Sequence, residues 1–272
     1  MSKISRAFED RKAFIAFITG GDPSLETTEK LVSAMAKAGA DLIEIGIPFS
    51  DPIAEGPVIQ EADERSLKAG CTTDKLFETV SRIREKTDVP LLFMTYLNPV
   101  FTYGKDKFMR RCAECGIDGI IVPDLPYEEK AELADVCTTN GIELVSLIAP
   151  TSNERISMIA RESEVFVYCV SSLGVTGVRN EIKTDIGAMV KQVRSVTRTP
   201  CAVGFGVSTP SQAAEMAGIA DGAIVGSAIV RIIAEHGQDC VGPVIEFVKS
   251  IRKAIDNEFD KENEFDKENR NV

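Results

Sequence analysis

The run IEIGIPFSDPIAEGPVIQ, residues 43–60, decides how the chain is to be read. It begins as a strand with Ile43, Ile45 and Ile47, and Glu44 is the one polar residue among them. It then breaks into a loop stiffened by Pro48, Pro52 and Pro57. A strand without a polar face is one covered on both sides, as parallel strands beneath helices are. The same short apolar signature recurs at 14–19, 42–47, 90–95, 119–122, 143–147, 165–170, 201–204 and 222–225. Helix signals lie between these stretches. Ser24 can N-cap a helix whose stripe is Leu31, Met35 and Ala38, ending at Gly39. Thr73 opens a second helix, with Leu76, Phe77, Val80 and Ile83; Asn140-Gly141 stops another, and Thr209-Pro210 has the favoured Ncap–N1 order. Eight strand–helix units in 272 residues predict a single (β/α)8 TIM barrel. A doubly wound open sheet is the competitor left by the pattern alone. Two connections are long, 48–72 and 171–185. In a barrel both follow a strand's C-terminal end, on the face where long loops cover substrate.

The bulk composition narrows the classes of function. A net charge of −11 opposes nucleic acid, yet a local ring of backbone N–H groups can still bind a phosphorylated small molecule. No apolar stretch approaches the ~20 residues that span a bilayer. The start MSKISRAFEDRK has no apolar signal region, so a cytoplasmic protein with reduced thiols is expected. Of the seven cysteines, Cys112 and Cys115 form a lone CxxC inside a helical pattern and read as buried structural thiols. The single histidine, His236, ends an apolar helical run with no nucleophile beside it, so acid–base work falls to other groups.

Glu44 is the first candidate for that work. A carboxyl group in an apolar barrel strand is desolvated, its pKa rises toward neutrality, and it becomes suited to proton transfer. The structural alternative is a carboxylate satisfied by a neighbouring hydroxyl or backbone group. Ser50, Asp51 and Glu55 follow on the loop, so Glu44 and Glu55 form a two-carboxylate constellation. Glycine pairs follow the last two strands: Gly204-Phe205-Gly206, then Gly226-Ser227 at the start of another apolar helical run. Barrels commonly bind phosphate there, with loop N–H groups and the N-terminus of a short extra helix. Gly174-Val-Thr-Gly177 could close over the same site. No P-loop or early G-x-G-x-x-G is present, which argues against a nucleotide.

Taken together, these stretches resemble the tryptophan synthase α family. The segment 44–60 is similar to its signature, as are FITGGDP at 17–23, MTYLNP at 94–99, PDLP at 123–126, GVTG at 174–177, GFG at 204–206 and Gly226-Ser227, in the family's order. The likeness covers about residues 1–254. It implies a lyase that splits indole-3-glycerol phosphate into indole and glyceraldehyde 3-phosphate by a retro-aldol step needing no cofactor. Glu44 would transfer the proton at C3 of the indole. Phe17, Tyr96, Ile121, Tyr168 and Phe205 would wall the indole pocket, and Thr176 would position the catalytic Glu. Gly177, Gly206, Gly226 and Ser227 would hold the phosphate. The resemblance also implies a partner β subunit carrying pyridoxal phosphate (PLP), in an α2β2 assembly, with Asp51, Pro52, Asn98 and Pro99 on the partner-facing rim.

One residue departs from the pattern. The family has Asp in an A-D-G-P run, and this chain reads Ala54-Glu55-Gly56-Pro57. Either the site has adjusted to the longer side chain or the enzyme is slower. Besides the α subunit, the sequence thus admits a stand-alone indole-3-glycerol phosphate lyase and an impaired ligand-binding subunit that activates its β partner. Residues 1–255 read as the lyase domain. Residues 256–272 contain NEFDKE at 257–262 and again at 263–268, and read as an acidic tail, a disordered or fraying helical extension.

Overall fold

The computed structural model describes residues 2–170, 186–204 and 206–270, with side chains through Lys261. The strands are β1 Ala13–Thr19, β2 Leu42–Gly46, β3 Leu91–Met94, β4 Gly119–Ile121, β5 Glu143–Leu144, β6 Ser146–Ile148, β7 Val167–Val170, β8 Cys201–Gly204 and β9 Gly222–Val225. The helices are α1 Lys3–Arg6, α2 Leu25–Ala38, α3 Pro57–Lys68, α4 Thr73–Arg84, α5 Leu97–Tyr103, α6 Lys105–Cys115, α7 Ala131–Thr139, α8 Asn153–Arg161, α9 Ile186–Arg194, α10 Pro210–Ile219, α11 Ser227–His236 and α12 Val241–Arg270. Every strand pairing is parallel, in the order β5-β4-β3-β2-β1-β9-β8-β7-β6. The two ends of that order are β5 and β6, which are separated in the chain by Val145 alone. The sheet is therefore a ring, and the fold is a (β/α)8 barrel rather than an open doubly wound sheet.

The differences from expectation have physical causes. The strand expected at 143–147 is two stubs ending at Ile148, because Val145 N–H still donates to Ile120 O at 3.0 Å while β6 has turned to pair with β7. The strand expected from 165 begins at Val167. Val165 and Phe166 are apolar because they close the barrel floor, where the Phe166 ring lies 5.3 Å from that of Phe8. The long connection at 48–72 contains a helix, α3, with Pro57 at its first position. Its inward stripe is Ile59, Ala62, Asp63 and Ser66, half polar, so it carries no apolar period to read. The connection at 171–185 lies outside the described residues.

Two apolar layers hold the barrel. Ala13, Ile15, Leu42, Leu92, Ile121, Ala202 and Ile224 fill its interior, with Ile4 beneath. A larger shell, including Phe14, Phe77, Phe93, Phe108 and Met35, packs the outer strand faces against the helices. Ser24, Thr72 and Thr209 each cap a helix with their side chains, by accepting the N–H groups of Thr27, Lys75 and Gln212. Thr73 is the first residue of α4, as expected, and Thr72 is its cap.

At the barrel floor one device is used three times. Asp41, Asp118 and Asp221 each precede a strand and accept an N–H from the first or second residue of the neighbouring strand: Phe14 at 2.8 Å, Leu91 at 2.9 Å and Cys201 at 2.9 Å. An arginine closes each: Arg252 with Asp41 at 2.8 Å, Arg84 with Asp118, and Arg194 with Asp221 at 2.9 Å. Arg252 belongs to α12, so this clamp fixes the last helix to the barrel. The helix then runs on through the acidic repeat to Arg270. Its first copy starts docked: Phe259 is half-buried, and Glu258 lies 3.5 Å from where a Cβ on Gly218 of α10 would stand. No helix among the described residues is long and apolar enough to cross a membrane.

Both Arg252 and Asp41 are nearly enclosed, with side chains 7% and 6% exposed. Removing one member of such a pair leaves the other charge buried. Arg252→Ala should lower the unfolding free energy by ~3–5 kcal/mol, toward the smaller figure because Arg11 still pairs with Asp41. Urea denaturation measures this, and a loss within the ~0–1 kcal/mol of a surface ion pair would show that the clamp carries no weight.

Candidate active site

Glu44 stands in the middle of β2, level with Phe17 on β1 and Leu92 on β3. It is fully buried, and neither carboxylate oxygen has a hydrogen-bond partner among the described residues. The described residues thus supply neither the hydroxyl nor the backbone group that a satisfied structural carboxylate would need. Burial alone pushes its pKa up to about 8, because ionising an unsolvated, unpaired carboxyl is costly. The group holds its proton at neutral pH. Tyr168 is buried on β7, and burial first, then the Glu44 carboxylate once it is ionised, raises its phenol well above the ordinary value. Gly46 makes room beside them, since a Cβ there would stand 2.8 Å from the Phe17 ring.

A cavity at the C-terminal mouth of the barrel is lined by Phe17, Glu55, Ile59, Met94, Tyr168, Gly206, Val207, Ile224, Gly226 and Ser227. Of the sequence candidates, Glu55, Phe17, Tyr168, Gly206, Gly226 and Ser227 meet here, while Glu44, Tyr96 and Ile121 are not among the lining residues. Gly226 precedes α11 without a side-chain cap, so the first N–H groups of that helix are open to an anion, and its dipole favours one. Gly206 has φ 89°, a left-handed backbone that glycine adopts without strain. Ile121 is buried at the end of β4, in the same inner cluster as Tyr168 and Ile224. Thr176, Gly177 and Phe205 lie outside the described residues.

Glu55 reaches the cavity from the loop after β2. Its side chain is hydrogen-bonded to Tyr96 and to Asp63 of α3, while Oε2 is buried with no partner among the described residues. Burial raises its pKa, and those two hydrogen bonds oppose the rise. Tyr96 is fixed in turn, because its hydroxyl accepts the Ala54 N–H at 3.0 Å and its ring lies 5.6 Å from Phe49. Asp63 is 4% exposed; burial and the Glu55 charge push its pKa up to about 9. Sequence reading missed Asp63, along with Ile59, Met94, Val207 and Ile224. The signal for Asp63 was its spacing, a carboxylate at i+4 from Ile59 on a helix that also opens with proline.

A wider groove of about 290 Å³ flanks this cavity between the loops of β4 and β6. It holds no buried carboxylate, and its cations are engaged, Arg155 with Glu128 and Lys130 with the Glu162 carbonyl at 3.5 Å. Cys112 and Cys115 are buried free thiols, and burial pushes Cys115 up to about 11 and Cys112 well above its ordinary value. His236 is exposed at the end of α11. Among the described residues no group of three or more His, Cys, Asp or Glu side chains is arranged to hold a metal ion.

The chain was compared with known proteins. A family profile described as "Tryptophan synthase alpha chain" matches residues 4–257. The tryptophan synthase alpha chain of Lacticaseibacillus casei is 48% identical over 256 residues, covering 94% of this chain and 96% of that one. The crystal structure of tryptophan synthase subunit alpha from Legionella pneumophila superposes with a TM-score of 0.86 at 37% identity, covering 94% and 99%. A chain of the tryptophan synthase a2b2 complex from Pyrococcus furiosus gives a TM-score of 0.82 at 36% identity, covering 89% and 98%.

The buried Glu44 has a consequence for stability. Its folded-state pKa is raised from 4.5 to about 8. The folded state thus keeps a proton that the unfolded chain gives up, and the stability present below pH 4.5 drains away as pH rises to about 8. Glu44→Gln removes that drain. The melting temperature of the variant should exceed that of the wild type by several degrees above pH 8, at ~2–4 °C per kcal/mol for a chain this size, and the gap should close toward pH 4.5. A gap independent of pH would mean that Glu44 is ionised or solvated in the folded protein.

Proposed function

The chain belongs to the tryptophan synthase alpha chain family, lyases that cleave indole-3-glycerol phosphate, and from that premise we propose how its own residues carry the reaction. Glu44, protonated, gives its proton to C3 of the indole and turns the ring into an iminium that accepts electrons. The glycerol hydroxyl next to the scissile bond then gives its proton to the Glu44 carboxylate. The carbon–carbon bond breaks, its electron pair returns to the ring, and indole and glyceraldehyde 3-phosphate part. Glu44 ends as it began. The reading rests above all on one observation, a fully buried carboxyl group with no partner and a pKa of about 8, which can both lose and regain a proton near neutrality. Glu55 accepts the indole N–H and stabilises the positive charge that C3 protonation creates.

The remaining roles are those that the family resemblance implies. Phe17, Tyr96, Ile121 and Tyr168, with Phe205, wall the indole. Gly206, Gly226 and Ser227, with Gly177, bind the phosphate, aided by the uncapped start of α11; Thr176 positions the catalytic Glu. No cofactor takes part in this chain's reaction. A β subunit carrying PLP would consume the indole in an α2β2 heterotetramer, in the cytoplasm. The a2b2 complex of the Pyrococcus furiosus relative supports a β partner in general. The docking rim would be Asp51, Pro52, Asn98 and Pro99, where Ile53 and Phe101 are 72% and 47% exposed. Residues 1–255 act as the lyase domain, and 256–272 are an appendage to it.

Two measurements test this reading. Steady-state release of indole from indole-3-glycerol phosphate, with and without a β subunit, should fall by ~10²–10⁴-fold in Glu44→Gln, with ligand affinity little changed; near-normal turnover would remove Glu44 from the mechanism. Ser227→Asp puts a carboxylate at the first position of α11, where the helix dipole favours it, so the fold should survive while affinity for a glycerol-phosphate analogue collapses. Unchanged binding in calorimetry would mean that phosphate binds elsewhere.

A further inference from the structure

Glu55 and Asp63 are two carboxyl groups enclosed together, and no ion pair among the described residues involves either. Arg65, two residues along α3, is committed to Asp22, which it holds through Nε at 2.9 Å and Nη2 at 2.8 Å. Asp22 itself adds a second negative charge near Asp63. From the other sides Asp63 meets the Phe49 backbone N–H and the Tyr96–Glu55 pair. The α11 helix, packed on α3, contributes Val230 to the shared apolar cluster, and its Arg231 is exposed. Two touching carboxylates with no cation among the described residues cannot both be ionised, so the pair keeps a proton between them.

The hydrogen bonds decide where that proton sits. Glu55 accepts from the Tyr96 hydroxyl as well as from Asp63, and each such bond favours its charged form. Asp63 gains one backbone N–H but faces the charges of both Glu55 and Asp22. The negative charge therefore settles on Glu55 and the proton on Asp63. We propose that Asp63 is a positioning residue of the lyase site: as a carboxylic acid it donates to Glu55 and, with Tyr96, holds that carboxylate so that Oε2 is left free to accept the indole N–H. This inference rests on the reading of Glu55 as the second carboxylate. It also accounts for how the chain accommodates Glu where its family has Asp. The extra methylene carries the carboxyl group to α3, where an acid of matching reach waits to fix it.

The test uses the full chain labelled with ¹³C at the aspartate carboxyl carbon, which leaves Glu44 silent. One aspartate resonance should titrate near pH 9, vanish in Asp63→Asn, and move to lower pH in Glu55→Gln. Absence of any such resonance, or one unmoved by Glu55→Gln, overturns the shared proton. Kinetics then separate positioning from mere structure. Asp63→Asn keeps an N–H donor and should hold kcat for indole release within about three-fold of wild type, whereas Asp63→Ala should lose roughly ten- to a hundred-fold, the scale of a misplaced catalytic group. KM should change little in both. Wild-type kcat in Asp63→Ala, or equal losses in both variants, sinks the proposal. Should Asp63→Ala fail to fold, the Asn variant and the titration still decide. If the wild type released no indole, the lyase reading and the positioning role would fall together. The carboxyl titration needs no substrate and would still report whether the proton is shared.

Discussion

The ladder of backbone hydrogen bonds closes on itself across a single residue. The stubs β5 and β6 meet at Val145, which hands the pairing from β4 to β7. Everything at the mouth depends on that closure. An open sheet would leave two edges and spread its strand ends along a line. A ring gathers them about one axis, so that Phe17 from β1, Tyr168 from β7 and the loops after β8 and β9 line one cavity. It also seals the interior from water. Glu44, level with Leu92 on β3, is fully buried, and that dryness, rather than a neighbouring charge, holds the proton on its carboxyl group.

How far the sequence reaches can be seen residue by residue. Glu44 was legible because a lone carboxylate in an otherwise apolar strand breaks a pattern with no other break. The late glycines were legible from their position, directly after the last two strands. Asp63 was not, because α3 shows the barrel a stripe of Ile59, Ala62, Asp63 and Ser66, too mixed to read as a buried face. Its Ser66 hydroxyl donates to the Gly20 carbonyl at 2.6 Å, and Asp63 meets Glu55, eight positions earlier. Polar groups satisfied by tertiary partners look, in sequence, like polar groups facing water. The same holds for Val145, whose broken strand is set by which neighbour each half finds and not by any local preference.

The substitution of Glu for the family's Asp at position 55 shows how a site absorbs a change in reach. The side chain is longer, yet it ends between a tyrosine hydroxyl and an acid. Tyr96 is itself anchored by the Ala54 N–H, so the loop that carries Glu55 and the group that holds it are tied together. The carboxylate departs from its family's length without becoming loose.

All seven cysteines are buried free thiols, and they are spread around the molecule: Cys71 after α3, Cys112 and Cys115 in α6, Cys137 in α7, Cys169 in β7, Cys201 in β8 and Cys240 just before α12. An alkylating reagent in solution therefore finds sulfur only where the chain has transiently opened. The native protein carries a set of internal clocks, and the rate at which each thiol is labelled would report the local opening of its own stretch of the barrel, without a mutation or an attached probe.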